Sequence, residues 1–215
     1  MPTAVIADII GSRRLADREG AQRTLDRAIA AVEADHPLAR QSFRPTAGDE
    51  QQAVYDTLEA ALASTLLLQL ALPDGVSVRF GIGIGALAPL PSAAGEIPEG
   101  PAWWAAREAI DIVHAKQRRA APAARAWVVG ASDQTDGMSI PVPLANAYLL
   151  ARDQIVTAMS ERTRRLTYGR CLDRSQKELA EREGITQPAV SQALSGAGAS
   201  AIVEGFAALT PEEAP

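Results

Sequence analysis

The sequence contains few of the side chains on which most covalent chemistry depends. Among 215 residues there are one cysteine and two histidines. The single cysteine, Cys171, cannot form a disulfide within the chain, and we interpret it as a thiol of the core. His36 and His114 stand isolated in the sequence, so no Ser/His/Asp or Cys/His catalytic set can be recognised.

Long apolar runs and an excess of basic residues are also absent. No segment approaches the roughly 20 apolar residues that cross a bilayer, and the N-terminus lacks the basic-then-apolar pattern of a secretion signal. We therefore expect a soluble, cytoplasmic protein without a membrane partner. The net charge of −5 provides no overall basic field, so any contact with nucleic acid must come from a local patch.

Hydrophobic residues are plentiful, and their spacing indicates the fold class. They make up 47% of the chain, whereas aromatic residues make up only 4%, which predicts a core of Ala, Leu, Ile and Val. From the N-terminus, their periodicity predicts strand, helix, strand, strand, helix, strand, the order of the split β-α-β unit. We therefore predict an α+β protein with a ferredoxin-like domain over residues 1–135. A helical linker and an all-α helix-turn-helix domain follow over residues 140–215.

The strand predicted over residues 76–85 has one face without side chains. Its even-numbered positions are apolar, whereas Gly81, Gly83 and Gly85 occupy odd-numbered positions. Such a bare face permits the close approach of another backbone or of a bound molecule. The sequence leaves open whether a helix or a ligand lies there. The following segment, 86–99, is rich in Pro and Gly and is predicted to be a loop.

Two acidic residues lie where predicted strands end. Asp8 interrupts the apolar run of the first strand, and Asp49 lies at the tip of the hairpin formed by residues 41–56. In the predicted strand order these carboxylates can converge on a divalent cation, since Mg²⁺ takes one or two carboxylates plus phosphate oxygens. The alternative is an exposed hairpin acid and a strand-end acid that only hydrogen-bonds to a turn.

The turn Gly11-Ser12-Arg13-Arg14 follows the first strand directly. Backbone N–H groups at a strand-to-helix turn can hold a phosphate group, and an arginine can clamp it. The alternative is an ordinary polar turn before a helix.

Two adjacent tryptophans begin the helix predicted over residues 101–114. Trp103 and Trp104 cannot face the same way on a helix. One can therefore pack in the core while the other covers a pocket, stacks on a base or contributes to an interface. Arg107 lies one turn further along this helix.

The C-terminal part contains a pattern typical of helix-turn-helix proteins. Residues 176–183 and 187–194 predict two short helices joined at Gly184, which permits a positive φ. Thr186 is suited to cap the second helix. Side chains near the start of such a helix can reach base edges, which predicts these DNA-binding residues: Thr186, Gln187, Ser191 and Gln192.

Several arginines precede this helix pair and are candidates for contacts to DNA phosphates. They are Arg162, Arg164, Arg165, Arg170 and Arg174. Acidic residues over 161–183 weaken the basic character of this region. The alternative is a helix pair used only for protein contacts.

Together these motifs resemble the SatD family. The resemblance spans about residues 3–195 and rests on the following segments: Val5 to Arg14, the Thr46 to Glu50 hairpin, Arg79 to Gly85, Gly100 to Ala102 with Ala106 to Ala109, and the C-terminal helix pair.

More distantly, the first half is similar to the palm domain of class III nucleotide cyclases and, less closely, of GGDEF diguanylate cyclases. This resemblance implies metal ligands at Asp8 and Asp49, with Ile9 lending its backbone carbonyl. It implies nucleotide contacts at Gly11, Ser12 and Arg107, and to these we add Arg13 of the same turn and Glu50 of the hairpin.

Two positions depart from the cyclase pattern, because the catalytic Asn falls on Trp103 and the base-reading residue on Pro45. These departures argue against efficient cyclisation. Our main hypothesis is a DNA-binding transcriptional regulator whose cyclase-like domain senses a nucleotide with Mg²⁺, acting as a homodimer on double-stranded DNA. One alternative is a nucleotidyl cyclase or related metal-dependent nucleotide enzyme that uses Arg107. The other is a degenerate palm domain that serves only as a dimerisation scaffold.

Overall fold

The computed structural model of the protein describes residues 1–46, 48–88, 90–92, 95–97, 99–131 and 141–211. The strands are β1 (Thr3–Ile9), β2 (Gln41–Pro45), β3 (Gln51–Tyr55), β4 (Val78–Ile84), β5 (Leu90–Ser92), β6 (Gly95–Ile97) and β7 (Ala126–Gly130). A short 3-10 helix (Ser12–Arg14) follows β1. The α-helices are α1 (Arg18–Asp35), α2 (Leu58–Ala71), α3 (Pro101–Gln117), α4 (Pro141–Ala158), α5 (Glu161–Cys171), α6 (Gln176–Glu183), α7 (Gln187–Ser195) and α8 (Ala199–Leu209).

The predicted α+β class is confirmed, with two local differences. Helix α3 continues one turn beyond His114, to Gln117. Strands β5 and β6 pair within the segment 86–99, which the sequence predicts to be a loop. Strands of three residues are too short to produce a visible alternation of apolar side chains. The predicted division of the chain between residues 135 and 140 lies outside the described residues.

Five strands form one mixed sheet in the order β2-β3-β1-β4-β7. The pairs β2–β3, β3–β1 and β1–β4 are antiparallel, and β4–β7 is parallel. Strand β1 is therefore central and buried, which explains its nearly continuous apolar sequence.

Helix α3 covers one face of this sheet and lies directly on the glycines of β4. A Cβ atom at Gly81 or Gly83 would overlap the carbonyl oxygens of Ala106 or Ala102 in α3. The bare face of β4 therefore accommodates a helix rather than a ligand, and a larger residue there would push α3 away.

Helices α1 and α2 pack on the opposite face, and α2 is buried on every side. All residues from Ala61 to Leu70 are buried, because the sheet lies on one side of α2 and the helices α5 and α8 lie on the other. A helix that is apolar all round belongs in the interior of a protein. One hydrophobic core consequently runs from the sheet to Leu166, Ile202 and Phe206 of the C-terminal helices.

Adjacent residues of α4, Arg152 and Asp153, form a buried ion pair. Hydrogen bonds from this pair to other elements join α4 to the core. The Asp153 Oδ1 atom accepts hydrogen bonds from Arg152 and from Gln69 of α2. Its Oδ2 atom accepts from the backbone N–H groups of Arg125 and Ala126, at the start of β7. The carboxylate therefore connects a helix, an edge strand and the central helix α2, and all its acceptor sites are used.

Helix α4 also completes the edge of the sheet at β7. Asn146 accepts a hydrogen bond from the Val128 N–H group (2.8 Å) and donates one to the Val128 carbonyl (2.9 Å). An amide side chain thus replaces a neighbouring strand at this position, which protects the edge from pairing with another chain.

Two further findings concern the apolar helices and the single cysteine. Within the described part of the chain, no helix is both long enough and apolar enough to span a membrane. Cys171 is buried, as expected of a core thiol, and burial raises the pKa of its thiol to about 12.

We predict that Asp153→Ala strongly destabilises the protein. The substitution leaves the buried Arg152 charge without its counter-ion and two backbone N–H groups without their acceptor, and breaking such a pair costs about 3–5 kcal/mol. Urea denaturation measures the free energy of unfolding. As a control, Asp111→Ala removes an exposed carboxylate from α3 and should change stability by less than about 0.5 kcal/mol. Equal effects of the two substitutions would contradict the structural role of Asp153.

Candidate functional site

A cleft opens at the end of the sheet where β1 leaves it. Because β1 is antiparallel to both neighbours, its last residues lie beside the first residues of β4 and β3. The register places Asp8 opposite Arg79 and Ala7 opposite Gln51. The hairpin acids that precede Gln51 are thereby brought to the same end of the sheet as Asp8.

Asp8 has one paired and one unpaired carboxylate oxygen. Its Oδ2 atom accepts a hydrogen bond from the Arg79 guanidinium at 3.3 Å. Its Oδ1 atom is buried and has no hydrogen-bond partner among the described residues. A buried acceptor without a partner is costly and needs an explanation, such as a bound ion.

Arg79 is held in place from behind and is itself nearly buried, with 8% of its side chain exposed. Its Nε atom donates to the Gln117 side chain at 2.9 Å. Gln117 in turn donates to the carbonyl of Ala124 at 2.6 Å. The guanidinium thus has a defined position beside Asp8.

The Asp8 carboxyl ionises less readily than an ordinary aspartate. Burial raises its pKa from the usual 3.8, and the Arg79 charge partly opposes this effect. The charges of Asp49 and Glu50 raise the pKa further, whereas His114 lowers it. These three acids therefore interact electrostatically across the cleft.

The cleft has a volume of about 750 Å³, within the range of typical small-molecule sites. Its lining combines acids, bases and the turn that follows β1: Asp8, Ile9, Ile10, Gly11, Ser12, Arg13, Arg14, Asp49, Glu50, Arg79, His114, Gln117 and Arg118.

Hydrogen bonds and an ion pair hold the turn and the hairpin in place. Gly11 has a φ of 71° and begins the 3-10 helix, with the N–H of Arg14 donating to its carbonyl at 2.8 Å. Glu50 accepts a hydrogen bond from Arg107 of α3 at 2.7 Å. Asp49 lies 3.9 Å from Arg18, so its contact is looser.

The structure brings together most of the residues proposed from the sequence. The predicted metal ligands and the predicted nucleotide contacts all line the cleft, except Arg107, which reaches it through Glu50. Trp103 is buried in the core beneath α3, whereas Trp104 is exposed. Pro45 is exposed at the end of β2.

Among the polar and charged residues of the cleft, sequence reasoning missed four, namely Arg79, His114, Gln117 and Arg118. For Arg79 a signal existed, because it is the first residue on the face of β4 that otherwise carries glycines. The other three come from the last turn of α3 and the residue after it, and no local pattern indicates that this turn lies over Asp8.

The carboxylates fit a cation that is shared with a phosphate group better than a cation held by protein alone. Among the described residues no group of three or more His, Cys, Asp or Glu side chains could hold a metal ion. Mg²⁺, however, commonly uses one or two carboxylates and takes its remaining ligands from water and substrate phosphates. The unpaired Oδ1 atom of Asp8 and the loosely paired Asp49 could supply these one or two carboxylate ligands.

The C-terminal residues proposed for DNA form a separate surface. Thr186 caps α7 through a hydrogen bond from the N–H of Ala189, and Gln187, Ser191 and Gln192 are exposed. Gly184 has a φ of 63°, so the turn between α6 and α7 uses the left-handed conformation expected of it.

Most arginines upstream of this surface are engaged within the protein. Arg164 pairs with Asp74, Arg165 with Glu161 and Glu183, and Arg174 with Asp35. Arg170 donates to the carbonyl of Arg174. Because these arginines are bound to acids and a carbonyl of the same chain, they provide less positive charge for phosphate contacts than the sequence suggests.

A model of the SatD family matches residues 3–203. The chain belongs to the SatD family. The membership inferred from the sequence motifs is thus confirmed, and the match covers both the cleft and the C-terminal helix pair of this SatD member.

Solved structures similar to this SatD member include two adenylate cyclases. Adenylate cyclases from Trypanosoma brucei in their monomeric state share 18% identity over 49% of this chain and 67% of that chain, with a TM-score of 0.41. A bacterial light-regulated adenylyl cyclase shares 12% identity over 65% of this chain and 79% of that chain, also with a TM-score of 0.41. No curated protein matches the chain. At these values neither neighbour identifies the activity of the SatD member.

We predict that Asp8 makes the stability of the protein depend on pH. Because its pKa is raised on folding, its favourable contribution is fully present below about pH 3.8 and is lost as the pH rises through the raised pKa. Asp8→Asn removes this titration while keeping an oxygen for Arg79. The stability of the variant relative to wild type should therefore increase from pH 3.8 towards neutral pH. Urea denaturation at several pH values tests this, and a constant or decreasing difference would contradict it.

Proposed function

We propose that this SatD member is a DNA-binding transcriptional regulator that senses a nucleotide bound with Mg²⁺ in the cleft at Asp8. The observation that carries the proposal is the buried, unpaired Oδ1 atom of Asp8. Asp8 lines a cleft that also contains a second carboxylate, Asp49, and several arginines. This combination suits a ligand that brings both a cation and phosphate groups.

The roles of individual residues follow from the charges in the cleft. Asp8, Asp49 and the carbonyl of Ile9 would hold Mg²⁺. The turn at Gly11 and Ser12, with Arg13, would contact the phosphates, because guanidinium groups pair well with phosphate oxygens. Glu50 and Arg107 would complete the nucleotide contacts from the hairpin side.

Two parts of the fold support this proposal: the strand order of the sheet and the pair of short helices near the C-terminus. The order β2-β3-β1-β4 matches a ferredoxin-like, cyclase-like palm, which we assign to residues 1–135. The pair α6–α7 with its turn at Gly184 matches a helix-turn-helix, which we assign to the domain over residues 140–215. A two-fold dimer would match a palindromic DNA site, and a cytoplasmic location follows from the DNA-binding role.

Helix α4 offers a physical route between the two modules. It contacts β7 through Asn146 and Asp153, and it leads directly into α5. A nucleotide that shifts the sheet would reorient α4 and thereby change the spacing of the two helix-turn-helix units in a dimer.

Sensing is favoured over catalysis by the position of Trp103. The cyclase resemblance implies an Asn at this position, but Trp103 is packed in the core and presents no polar group to the cleft. A nucleotidyl cyclase remains an alternative that nucleotide incubation tests directly, because it predicts product formation that is lost in Asp8→Ala.

We predict that a nucleotide with Mg²⁺ raises the melting temperature of the wild-type protein. At a concentration about 100 times Kd, the stabilisation of about 2.7 kcal/mol corresponds to a rise of roughly 5–10 °C. A thermal-shift panel of nucleotides with and without Mg²⁺ measures the effect, which Asp49→Ala should abolish. The control Asp56→Ala removes an exposed acid from the other end of the hairpin and should retain it. The scaffold alternative predicts no shift with any nucleotide.

For the DNA-binding surface we predict that Gln187→Ala combined with Gln192→Ala weakens sequence-specific binding. Each well-made side-chain contact to a base contributes about 1–3 kcal/mol of discrimination, so the affinity should fall at least about tenfold. Sites selected from random DNA by the wild-type protein provide the binding assay, and circular dichroism monitors folding. Gln154→Ala, on the exposed side of α4, is the matched control. Unchanged affinity of the double variant would show that this surface does not recognise the DNA sequence.

A further inference from the structure

A second hollow, separate from the Asp8 cleft, lies where four helices meet. It is bounded by α1 and α2 on one side and by α5 and α6 on the other, and its volume is about 340 Å³. This volume falls within the range of small-molecule sites. None of the residues that line it also lines the Asp8 cleft.

The floor of this hollow is apolar. It is formed by Leu70 of α2 and Leu179 of α6, with the small residues Ala31 and Ala71 beside them. Leu70 and Leu179 are otherwise almost completely buried. An apolar group placed in the hollow would therefore cover mainly the exposed Ala31 and the partly exposed Ala71.

The charged rim is largely neutralised by its own contacts. Asp35 accepts hydrogen bonds from Tyr168 at 2.9 Å and from Arg174 at 3.3 Å. Arg165 donates two hydrogen bonds to Glu183, at 2.9 and 2.8 Å. These paired groups hold the walls of the hollow together and offer little net charge to a ligand.

Arg182 is the exception on this rim. It is exposed, and it makes no ion pair with any residue that the structure describes. Together with Arg174 it also lines an adjoining hollow of about 450 Å³, which contains Glu178 and Glu181. Arg182 thus leaves one positive charge of the lining without an ion pair among the described residues, whereas a multiply charged phosphate would be repelled by the two nearby acids.

We propose that the hollow between α1–α2 and α5–α6 binds a small amphipathic monocarboxylate. Its apolar body would lie against Ala31 and Ala71, and its carboxylate would pair with Arg182, since a guanidinium matches a carboxylate in a two-bond geometry. The chemistry differs from that of the Asp8 cleft, which suits a cation with phosphates.

An occupant of this hollow contacts helices that belong to different parts of the fold. It touches α1 and α2, which pack on the sheet, and α6, which precedes the exposed helix α7. Its binding would restrain α6 relative to the sheet. An effect on DNA would rest on the proposed function, whereas binding of the carboxylate does not.

Isothermal titration of the full chain with phenylacetate and with octanoate tests the proposal. At least one of the two should bind saturably at one site per chain. Its neutral amide should bind at least about tenfold more weakly, because the charge-assisted pair with Arg182 is lost. No saturable binding of either carboxylate, or equal binding of the amide, would overturn the proposal.

Two variants locate the site and one serves as control. Arg182→Gln removes the exposed charge, and Ala31→Phe fills the hollow from the exposed surface of α1 without removing a core side chain. Each should weaken carboxylate binding at least about tenfold, with unchanged circular dichroism. Arg119→Gln alters an exposed arginine that lines neither site and should leave Kd unchanged. Wild-type affinity in both Arg182→Gln and Ala31→Phe would overturn the assignment, whatever the outcome of the nucleotide experiment.

Discussion

The buried Asp153 carboxylate holds together the parts of this protein that would otherwise separate. It is bound by Arg152 of its own helix, by Gln69 of α2 and by two backbone N–H groups at the start of β7. Arg152 extends the network to the carbonyl of Leu62 and the hydroxyl of Thr65. A buried ion pair is stable only when such additional hydrogen bonds compensate for the lost hydration. The network therefore requires α2, α4 and β7 to keep their mutual positions.

The same network also determines the geometry of the cleft. The carbonyl of Arg125, whose N–H group binds Asp153, accepts a hydrogen bond from the N–H of Phe80 at 2.7 Å. Phe80 follows Arg79, and the carbonyl of Ala124 fixes Gln117, which in turn holds the Arg79 guanidinium. The segment 124–126 is thus shared between the ion-pair network and the support of Asp8. A disturbance at either end can reach the other through these hydrogen bonds.

Much of the fold could be predicted because its strongest signals are local. The apolar run around Asp8, the glycine alternation of β4 and the turn at Gly184 each depend on a few neighbouring residues. The role of the β4 glycines could not be predicted, because a helix and a ligand need the same bare surface. The apolar residues on every side of α2 indicate its burial but not what covers it, since its second covering layer comes from helices that begin about 100 and 140 residues later in the chain. Arg152 and Asp153 gave no periodic signal at all.

By itself the sequence determined the α+β class, the membership of the SatD family, and the candidate acids Asp8 and Asp49. These follow from periodicity and from motifs of adjacent residues. Only the tertiary structure decided which side chains surround those acids, because the antiparallel register of β1 and β4 brings Arg79 beside Asp8. Likewise, the path of α3 over the sheet brings His114 and Gln117 to the cleft, while burying Trp103. The hollow at Arg182 exists only where four helices from distant parts of the chain pack together, so no local pattern could encode it.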